Sequence, residues 1–457
     1  MKIKTRSKQR LADNLRFQSL VILDQILNQE GYSNVLVNEF LKSSSLSEVD
    51  NRLFVQIVYG VVQRDMTLEY MLQPYIKDKK LDPWIIILLK VSLFQMIFLD
   101  RIPDHAIVNE AVEIAKINGH HGLGKFVNAI LREVIRDGLS FETLLSNIQS
   151  LPILEQLSLK YSMPIEMLQT FQDQLSHDDM VAFLESTIKI PHVSVRINSK
   201  LCQRNEAIQL LEAQNYDVKP SDLSPDGIVI TSGNILKSKA YKLGLITVQD
   251  ESSMLVAPLG KLNGTENVLD ACAAPGGKAT HTAAYLTQGH LTALDIYDHK
   301  LSKVKEHLER MKLSEHVTLI KQDAREFVSE DKQLFDRIYL DAPCSGLGLI
   351  RRKPEIKYRK KATDIVSLIQ VQNQLLDHLI TLLKSGGILI YSTCTLTQGE
   401  NEHLLNDFCQ RNENISVSPI SEQELLNSEI LTDEGFVRVW PHQFDTDGFF
   451  IGRLIKH

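Results

Sequence analysis

The chain has 457 residues, a net charge of −7 and 43% hydrophobic residues. At about 150 residues per domain that length suggests roughly two to four domains, and the composition is that of a globular protein. The acidic balance excludes a uniformly basic nucleic-acid-binding protein, so any contact with nucleic acid has to come from local patches. The five cysteines are odd in number and form no Cys-x-x-Cys pair. A disulfide framework and a structural zinc site are therefore not expected, no metal is expected, and free thiols suit a cytoplasmic protein.

Residues 1–138 read as all helix. The basic start, Met1 to Arg10, is followed by polar residues, which leaves no apolar core for a signal peptide. Leu20, Leu23 and Leu27 follow helical spacing, as do Phe126, Ile130 and Val134. The most apolar stretch, Trp84 to Leu99, is broken by Lys90, Ser92 and Gln95 and falls short of the roughly 20 residues a membrane span needs. It reads as a buried helix of a compact bundle.

Residues 139–260 read as a helical connector followed by a small α+β segment. Val193 to Asn198 and Gly227 to Thr231 are its strands, and Asn205 to Gln214 its helix. From residue 261 to 457 strands alternate with helices. Asn267 to Leu269, Leu291 to Leu294, Val317 to Ile320, Arg337 to Leu340 and Ile388 to Tyr391 predict a mostly parallel sheet covered on both faces. A late pair, Phe436 to Trp440 and Gly448 to Gly452, predicts antiparallel edge strands.

Ligands of open α/β sheets bind beyond the carboxyl ends of the strands. Asp270, Asp295, Asp323, Asp341 and Cys394 all stand there. The turn Cys272-Ala273-Ala274-Pro275-Gly276-Gly277-Lys278 follows the first of these strands and opens a helix, whose free amides suit a carboxylate. Cys272 and Ala279 stand where a phosphate-binding P-loop needs Gly and Ser or Thr, and the Gly-x-Gly-x-x-Gly spacing is absent. Asp295 is placed to accept ribose hydroxyls and Asp323 to reach an adenine amino group. The spacing gives an adenosine cofactor with an unphosphorylated tail, without naming it.

Two thiols complete the pattern: Cys344 in Asp341-Ala-Pro-Cys-Ser-Gly346, and Cys394 in Ser392-Thr-Cys-Thr395. Two cysteines at strand ends beside a cofactor loop point to covalent catalysis. Cys202 and Cys409 read as small buried hydrophobes.

These motifs resemble the Sun/Fmu/NOL family of RNA cytosine-5 methyltransferases, and the helical N-terminal part is similar to the NusB-like RNA-binding domain. That combination is characteristic of the family's bacterial 16S rRNA enzymes, so the resemblance spans nearly the whole chain. The segment Tyr161-Ser-Met-Pro164 departs from the family in lacking a tryptophan shortly after the proline.

The resemblance implies S-adenosylmethionine held by Cys272 to Lys278, Asp295, Asp323 and Asp341, and a cytosine of 16S rRNA as target, position 967 in the family. It assigns attack on ring carbon-6 to Cys394 and product release to Cys344. The residues alone leave the opposite order open, because in related DNA enzymes the Pro-Cys cysteine attacks. Asp341 is placed to hydrogen-bond the base.

Beside the Pro-Cys loop, the basic run of Arg351, Arg352, Lys353, Lys357 and Arg359 reads as a phosphate-contacting segment, with Arg196 and Asn198 as further RNA contacts. The expected substrate is 16S rRNA before or during assembly, bound by a monomer away from any membrane. A tRNA-directed enzyme with the same chemistry and a non-catalytic RNA-binding regulator are the alternatives.

Overall fold

The computed structural model describes Leu11 and residues 14–329 and 334–457. The basic segment Met1 to Arg10 lies outside the described residues. The chain forms two compact units. One comprises Met1–Lys189 with Ile350–Arg359, the other Ile190–Leu349 with Lys360–His457.

The first unit is helical: α1 (Leu15–Asn28), α2 (Ser33–Ser43), α3 (Glu48–Gln63), α4 (Asp65–Ile76), α5 (Pro83–Phe98), α6 (Asp104–Asn118), α7 (His121–Arg136), α8 (Phe141–Ile148), α9 (Ile153–Tyr161), α10 (Ile165–Gln172) and α11 (His177–Thr187). The apolar stretch of the sequence is α5, with Pro83 in its first turn, where the missing N–H costs nothing. It packs against α1, α3, α4 and α6. A helix so surrounded must be apolar nearly all round. Its three polar breaks are satisfied internally. Lys90 pairs with Asp65 at 2.7 Å and Glu69 at 2.8 Å. Ser92 and Gln95 donate to the Leu88 and Val91 carbonyls one turn back. Among the described residues no helix is long and apolar enough to cross a membrane.

The second unit holds two sheets. The smaller is antiparallel, in the order β2 (Asp217–Pro220), β3 (Gly227–Ser232), β1 (Val193–Ile197), β4 (Ile246–Val248). Helix α12 (Arg204–Glu212) joins β1 to β2. The larger sheet contains β5 (Asn267–Asp270), β6 (His290–Asp295), β7 (Val317–Lys321), β8 (Phe335–Asp341), β9 (Leu383–Thr393), β10 (Ile415–Val417), β11 (Val437–Val439) and β12 (Phe449–Lys456). Its order is β10-β12-β9-β8-β5-β6-β7, with β11 also paired to β12. Strands β5 to β9 are parallel.

The central strands β5, β8 and β9 each bury consecutive apolar residues, as strands packed on both faces do. Val268, Ile388 and Ile390 point into one core, with Ala279 and Ala283 of α13 (Gly277–Tyr285) and Val304 and Leu308 of α14 (Asp298–Met311). Leu269, Leu389 and Tyr391 point into the other, with Leu375 and Leu376 of α15 (Ala362–Leu379) and Leu404 and Leu405 of α16 (Glu402–Gln410). The expected edge strand Gly448 to Gly452 is not at the edge. It belongs to β12, which pairs with β9 from Ile388 to Thr393 on one side and with β10 on the other.

Candidate active site

Strand β5 ends at Asp270, where the strand order turns: β6 and β7 lie on one side of it, β8 and β9 on the other. This is the switch point at which open α/β sheets bind ligands. Backbone hydrogen bonds continue past the strand ends and fix the loops there. Ala273 N–H donates to the Leu294 carbonyl at 2.8 Å, and Ala342 N–H to that of Ser392 at 2.9 Å.

The Ala274–Pro275 peptide is cis, and Gly276 takes a φ of +108°. L side chains rarely adopt that conformation, and a Cβ at Gly276 would also meet Val304 Cα at 3.0 Å. The turn thus lies close against α14 and delivers the start of α13, whose first amides have no intrahelical acceptor.

Asp270 is 2% exposed. Its Oδ1 accepts the Cys272 N–H at 3.3 Å, while Oδ2 is buried without a hydrogen-bond partner. Burial, then the charge of Asp341, raises its carboxyl to about 7. A buried orphan carboxylate oxygen beside free helix amides fits a zwitterionic amino-acid tail, with the ammonium on Asp270 and the carboxylate on the amides. The sequence reading placed Asp270 at a strand end but not among the cofactor residues, because Asp is common in turns.

Burial and then Asp270 push the Cys272 thiol up, so it serves as a small neutral group. Asp295 Oδ1 accepts the Tyr297 N–H at 3.0 Å. Asp323 is paired with Arg325 at 2.6 Å, whose hydrogen bonds hold its carboxyl below the usual range.

The thiols come together. In the parallel register of β8 and β9, Asp341 lies opposite Ser392. Just beyond, Cys344 Sγ and Cys394 Sγ are 3.4 Å apart. Lys278 Nζ bonds Asp341 Oδ2 at 2.7 Å, and Ser392 Oγ donates to Asp341 Oδ1 at 2.9 Å. Burial disfavours the Lys278 cation, but Asp341 outweighs it and the amine is held above its usual value. A fixed positive charge therefore stands at the carboxyl ends of β5 and β8. The Cys344 thiol is raised well above its ordinary value by its hydrogen bond to Cys394, by burial, and by the charges of Cys394, Glu400 and Asp341.

Glu400 and Asn401 escaped the sequence reading. Glu400 is fully buried. Its Oε1 accepts from Ser345 N–H at 2.8 Å and Gln372 Nε2 at 3.2 Å, and its Oε2 from Ser345 Oγ at 2.6 Å and Thr397 Oγ1 at 2.7 Å. Asn401 accepts from Thr393 Oγ1 at 2.6 Å and donates to the Thr395 carbonyl at 3.1 Å, so it grips both neighbours of Cys394. The available signal was the polar run Gly399-Glu-Asn-Glu402 directly after the second cysteine loop.

The expected RNA contacts need correction. Arg196 is fully buried, with Nε on Gln249 Oε1 at 2.7 Å and a terminal nitrogen on Thr280 Oγ1 at 3.0 Å, so it staples β1 to α13. Burial lowers its guanidinium to about 9. Asn198, also buried, donates to the Met311 carbonyl at 2.8 Å at the end of α14.

The basic run belongs to the helical unit. Arg351 and Lys357 are each 1% exposed, and Arg352 and Lys353 are half-buried. Lys357 Nζ donates to the Gln63 carbonyl at 2.8 Å and faces that of Tyr161 at 3.4 Å. Arg359 donates to the carbonyls of Ile26, Glu30 (2.9 Å) and Gly31 (2.8 Å) at the end of α1. Arg196, Asn198, Lys357 and Arg359 all donate to protein carbonyls or side chains. Among the described residues no group of three or more His, Cys, Asp or Glu side chains is placed to hold a metal ion.

A doubly wound sheet with a glycine turn, an orphan acid and a thiol pair at its switch point defines a Rossmann-like methyltransferase domain, here accompanied by a helical bundle. Residues 258–455 match the 16S rRNA methyltransferase RsmB/F family, residues 13–136 the NusB family, and residues 163–235 the RsmF/B-like ferredoxin-like domain. The "Probable ribosomal RNA small subunit methyltransferase B" of Bacillus subtilis is 36% identical over 97% of this chain and 98% of its own length. The ribosomal RNA small subunit methyltransferase B of Yersinia enterocolitica is 31% identical over 97% of this chain and 99% of its own. The crystal structure of PH0851 superposes with a TM-score of 0.79 at 25% identity, covering both chains fully. A methyltransferase homologue from Pyrococcus horikoshii gives 0.58 at 26% identity, over 67% of this chain and 99% of its own. The chain belongs to the RsmB/F family of 16S rRNA methyltransferases.

Proposed function

We propose that this protein methylates carbon-5 of a cytosine in 16S rRNA, the family's position 967, using S-adenosylmethionine. The 3.4 Å approach of Cys344 and Cys394 carries the reading. S-adenosylmethionine supplies a methyl group on a positively charged sulfur. Cys272 to Lys278, Asp270, Asp295, Asp323 and Asp341 would hold it. Cytosine carbon-5 is a poor nucleophile, and the target base has to leave its stack to enter the site.

Addition of the Cys394 thiolate forms a bond to carbon-6 and moves the ring's carbon-5–carbon-6 electron pair to carbon-5, which takes the methyl group. Asp341 hydrogen-bonds the base as charge develops. The carbon-5 proton then passes to Cys344 in its thiolate form, the carbon-5–carbon-6 double bond reforms, and Cys394 leaves as thiolate.

The direction of the Cys344 shift supports this order. Cys394 is the largest cause of the high proton affinity of Cys344. Once Cys394 is a neutral thioether that cause is gone, so Cys344 gives its own proton to solvent water more readily and is then the thiolate that takes the proton from carbon-5. Among the described residues no cysteine forms a disulfide, which suits a reducing cytoplasm. The protein acts as a monomer on unassembled or partly assembled rRNA.

The test is incubation with radiolabelled S-adenosylmethionine and naked 16S rRNA, assembled small subunits or bulk tRNA, followed by mapping of 5-methylcytosine. Label at one cytosine of naked 16S rRNA is expected. Label confined to tRNA, or none at all, overturns the proposal.

A further inference from the structure

Neither cysteine loop is held by regular secondary structure. Cys344 lies beyond the end of β8, and Cys394 is the first residue after β9. Their spacing is set by the loop that follows Cys394. Gln372 on α15 donates to the Pro343 carbonyl at 2.9 Å, and Glu400 takes both the N–H and the hydroxyl of Ser345, so the two neighbours of Cys344 are fixed. Glu400 also takes Thr397 Oγ1, and Ser345 Oγ lies 2.7 Å from Thr395 Oγ1. One carboxylate thus ties the Pro-Cys loop to the loop that carries Cys394.

We propose that Glu400 is a positioning residue for Cys344: its buried carboxylate ties the two thiol loops together and so sets the distance between the two sulfurs, holding Cys344 where release needs it and Cys394 where attack needs it. This rests on the two-cysteine reading above.

Its partners argue for a role beyond packing. The four groups that donate to Glu400, from Ser345, Gln372 and Thr397, are all neutral. A fully buried carboxylate is costly to desolvate, and a neutral Gln would satisfy the same loops at lower cost. What Gln does not supply is negative charge beside Cys344. That charge disfavours a thiolate at Cys344 in the resting pair, which argues against Cys344 as the attacker, and makes that thiolate, once formed, a stronger base toward the carbon-5 proton.

The test compares Glu400→Gln, which keeps the shape and removes the charge, with Glu400→Ala, which also removes the ties, and with Cys344→Ala as reference. Each full-length variant is incubated with 16S rRNA and S-adenosylmethionine, and turnover, cofactor KM and RNA–protein adduct resistant to denaturing gel are measured. The expected result is that Glu400→Gln turns over about 10-fold more slowly and Glu400→Ala about 100-fold more slowly, on the scale of a 1 Å misplacement. Cofactor KM should change less than 2-fold, and adduct should accumulate in both, as in Cys344→Ala. A merely structural role would lower melting temperature and cofactor affinity together without trapping adduct. If Cys344→Ala traps adduct and neither Glu400 variant does, the Glu400 proposal fails alone. If Cys344→Ala itself traps none, the assignment of release to Cys344 fails.

Discussion

Cys344 Sγ and Cys394 Sγ lie 3.4 Å apart, within reach of a single shared proton. Two thiols at that distance cannot both ionise readily. The Cys344 thiol is raised well above its ordinary value, first by its hydrogen bond to Cys394 and then by burial. Cys344→Ala is therefore expected to accumulate a covalent RNA adduct, visible as a band shift on a denaturing gel, because attack survives and release does not. Cys394→Ala should give neither product nor adduct. The reverse pattern would exchange the two roles.

Asp270 predicts how cofactor binding depends on pH. Its carboxyl is raised to about 7 by burial and then by Asp341. The ionised form is the one that holds an ammonium, so binding must expel a proton below that pH. Affinity for S-adenosylmethionine, measured calorimetrically, should level off above pH 7 and fall toward 10-fold per unit below it. Asp270→Asn should bind more weakly and lose this dependence. An unchanged profile in Asp270→Asn would remove Asp270 from the site.

Gly348 fixes the second thiol's backbone. Its N–H donates to the Cys394 carbonyl at 2.9 Å, and its own carbonyl accepts from Gly448 N–H at 2.9 Å. A Cβ there would meet the Gly448 oxygen at 2.0 Å and the Cys394 oxygen at 2.8 Å, both backbone atoms that have no rotamer to escape into. Gly348→Ala should cost on the order of 100-fold in turnover by displacing Cys394, while cofactor binding at Asp270 is preserved. Wild-type turnover in that variant would show that the Cys394 loop tolerates the shift.

The parallel strands were legible because each carries a short apolar run with an acid or a thiol at or shortly after its end. Asp217–Pro220 and Ile415–Val417 were not, since three or four residues carry too little alternation to signal a strand. The thiols and the glycine turn were legible from residue type and position. Burial was not. Arg196, Asn198 and Lys357 read as RNA contacts because a sequence displays charge and donors but not which carbonyls will take them. Glu400 was passed over for the converse reason: an acid in a polar loop looks solvated until the fold brings Ser345, Gln372 and Thr397 around it.

Lys357 gives the helical unit a pH signature. Burial, then Arg64, lowers its amine from the ordinary 10.5 to about 7. Between those values the unfolded chain binds one more proton than the folded one, so stability rises as pH rises from 7 toward 10. Below pH 7 the amine is protonated in both states and contributes no slope. Lys357→Met should flatten that rise, as measured by urea unfolding at pH 7, 8 and 9. An equal slope in both proteins would mean that Lys357 stays charged when folded.

The segment Ile350–Arg359 leaves the catalytic unit shortly after Cys344 and belongs to the helical one. Glu355 accepts from Ser33 N–H at 3.0 Å and Ser33 Oγ at 2.8 Å, Tyr358 OH donates to the Val62 carbonyl at 2.9 Å, and Arg359 caps α1. An RNA-binding module joined by a free linker could be removed without harm to catalysis. Here, removal of residues 1–189 takes away the partners of Glu355, Lys357, Tyr358 and Arg359 and exposes the apolar Ile350 and Ile356, both buried in the full chain. The fragment 190–457 is expected to be poorly soluble and to melt below the full-length protein, and addition of residues 1–189 as a separate chain should restore part of the loss. Equal melting of fragment and full chain by calorimetry would show that the segment folds without the helices, and that the bundle is a detachable module.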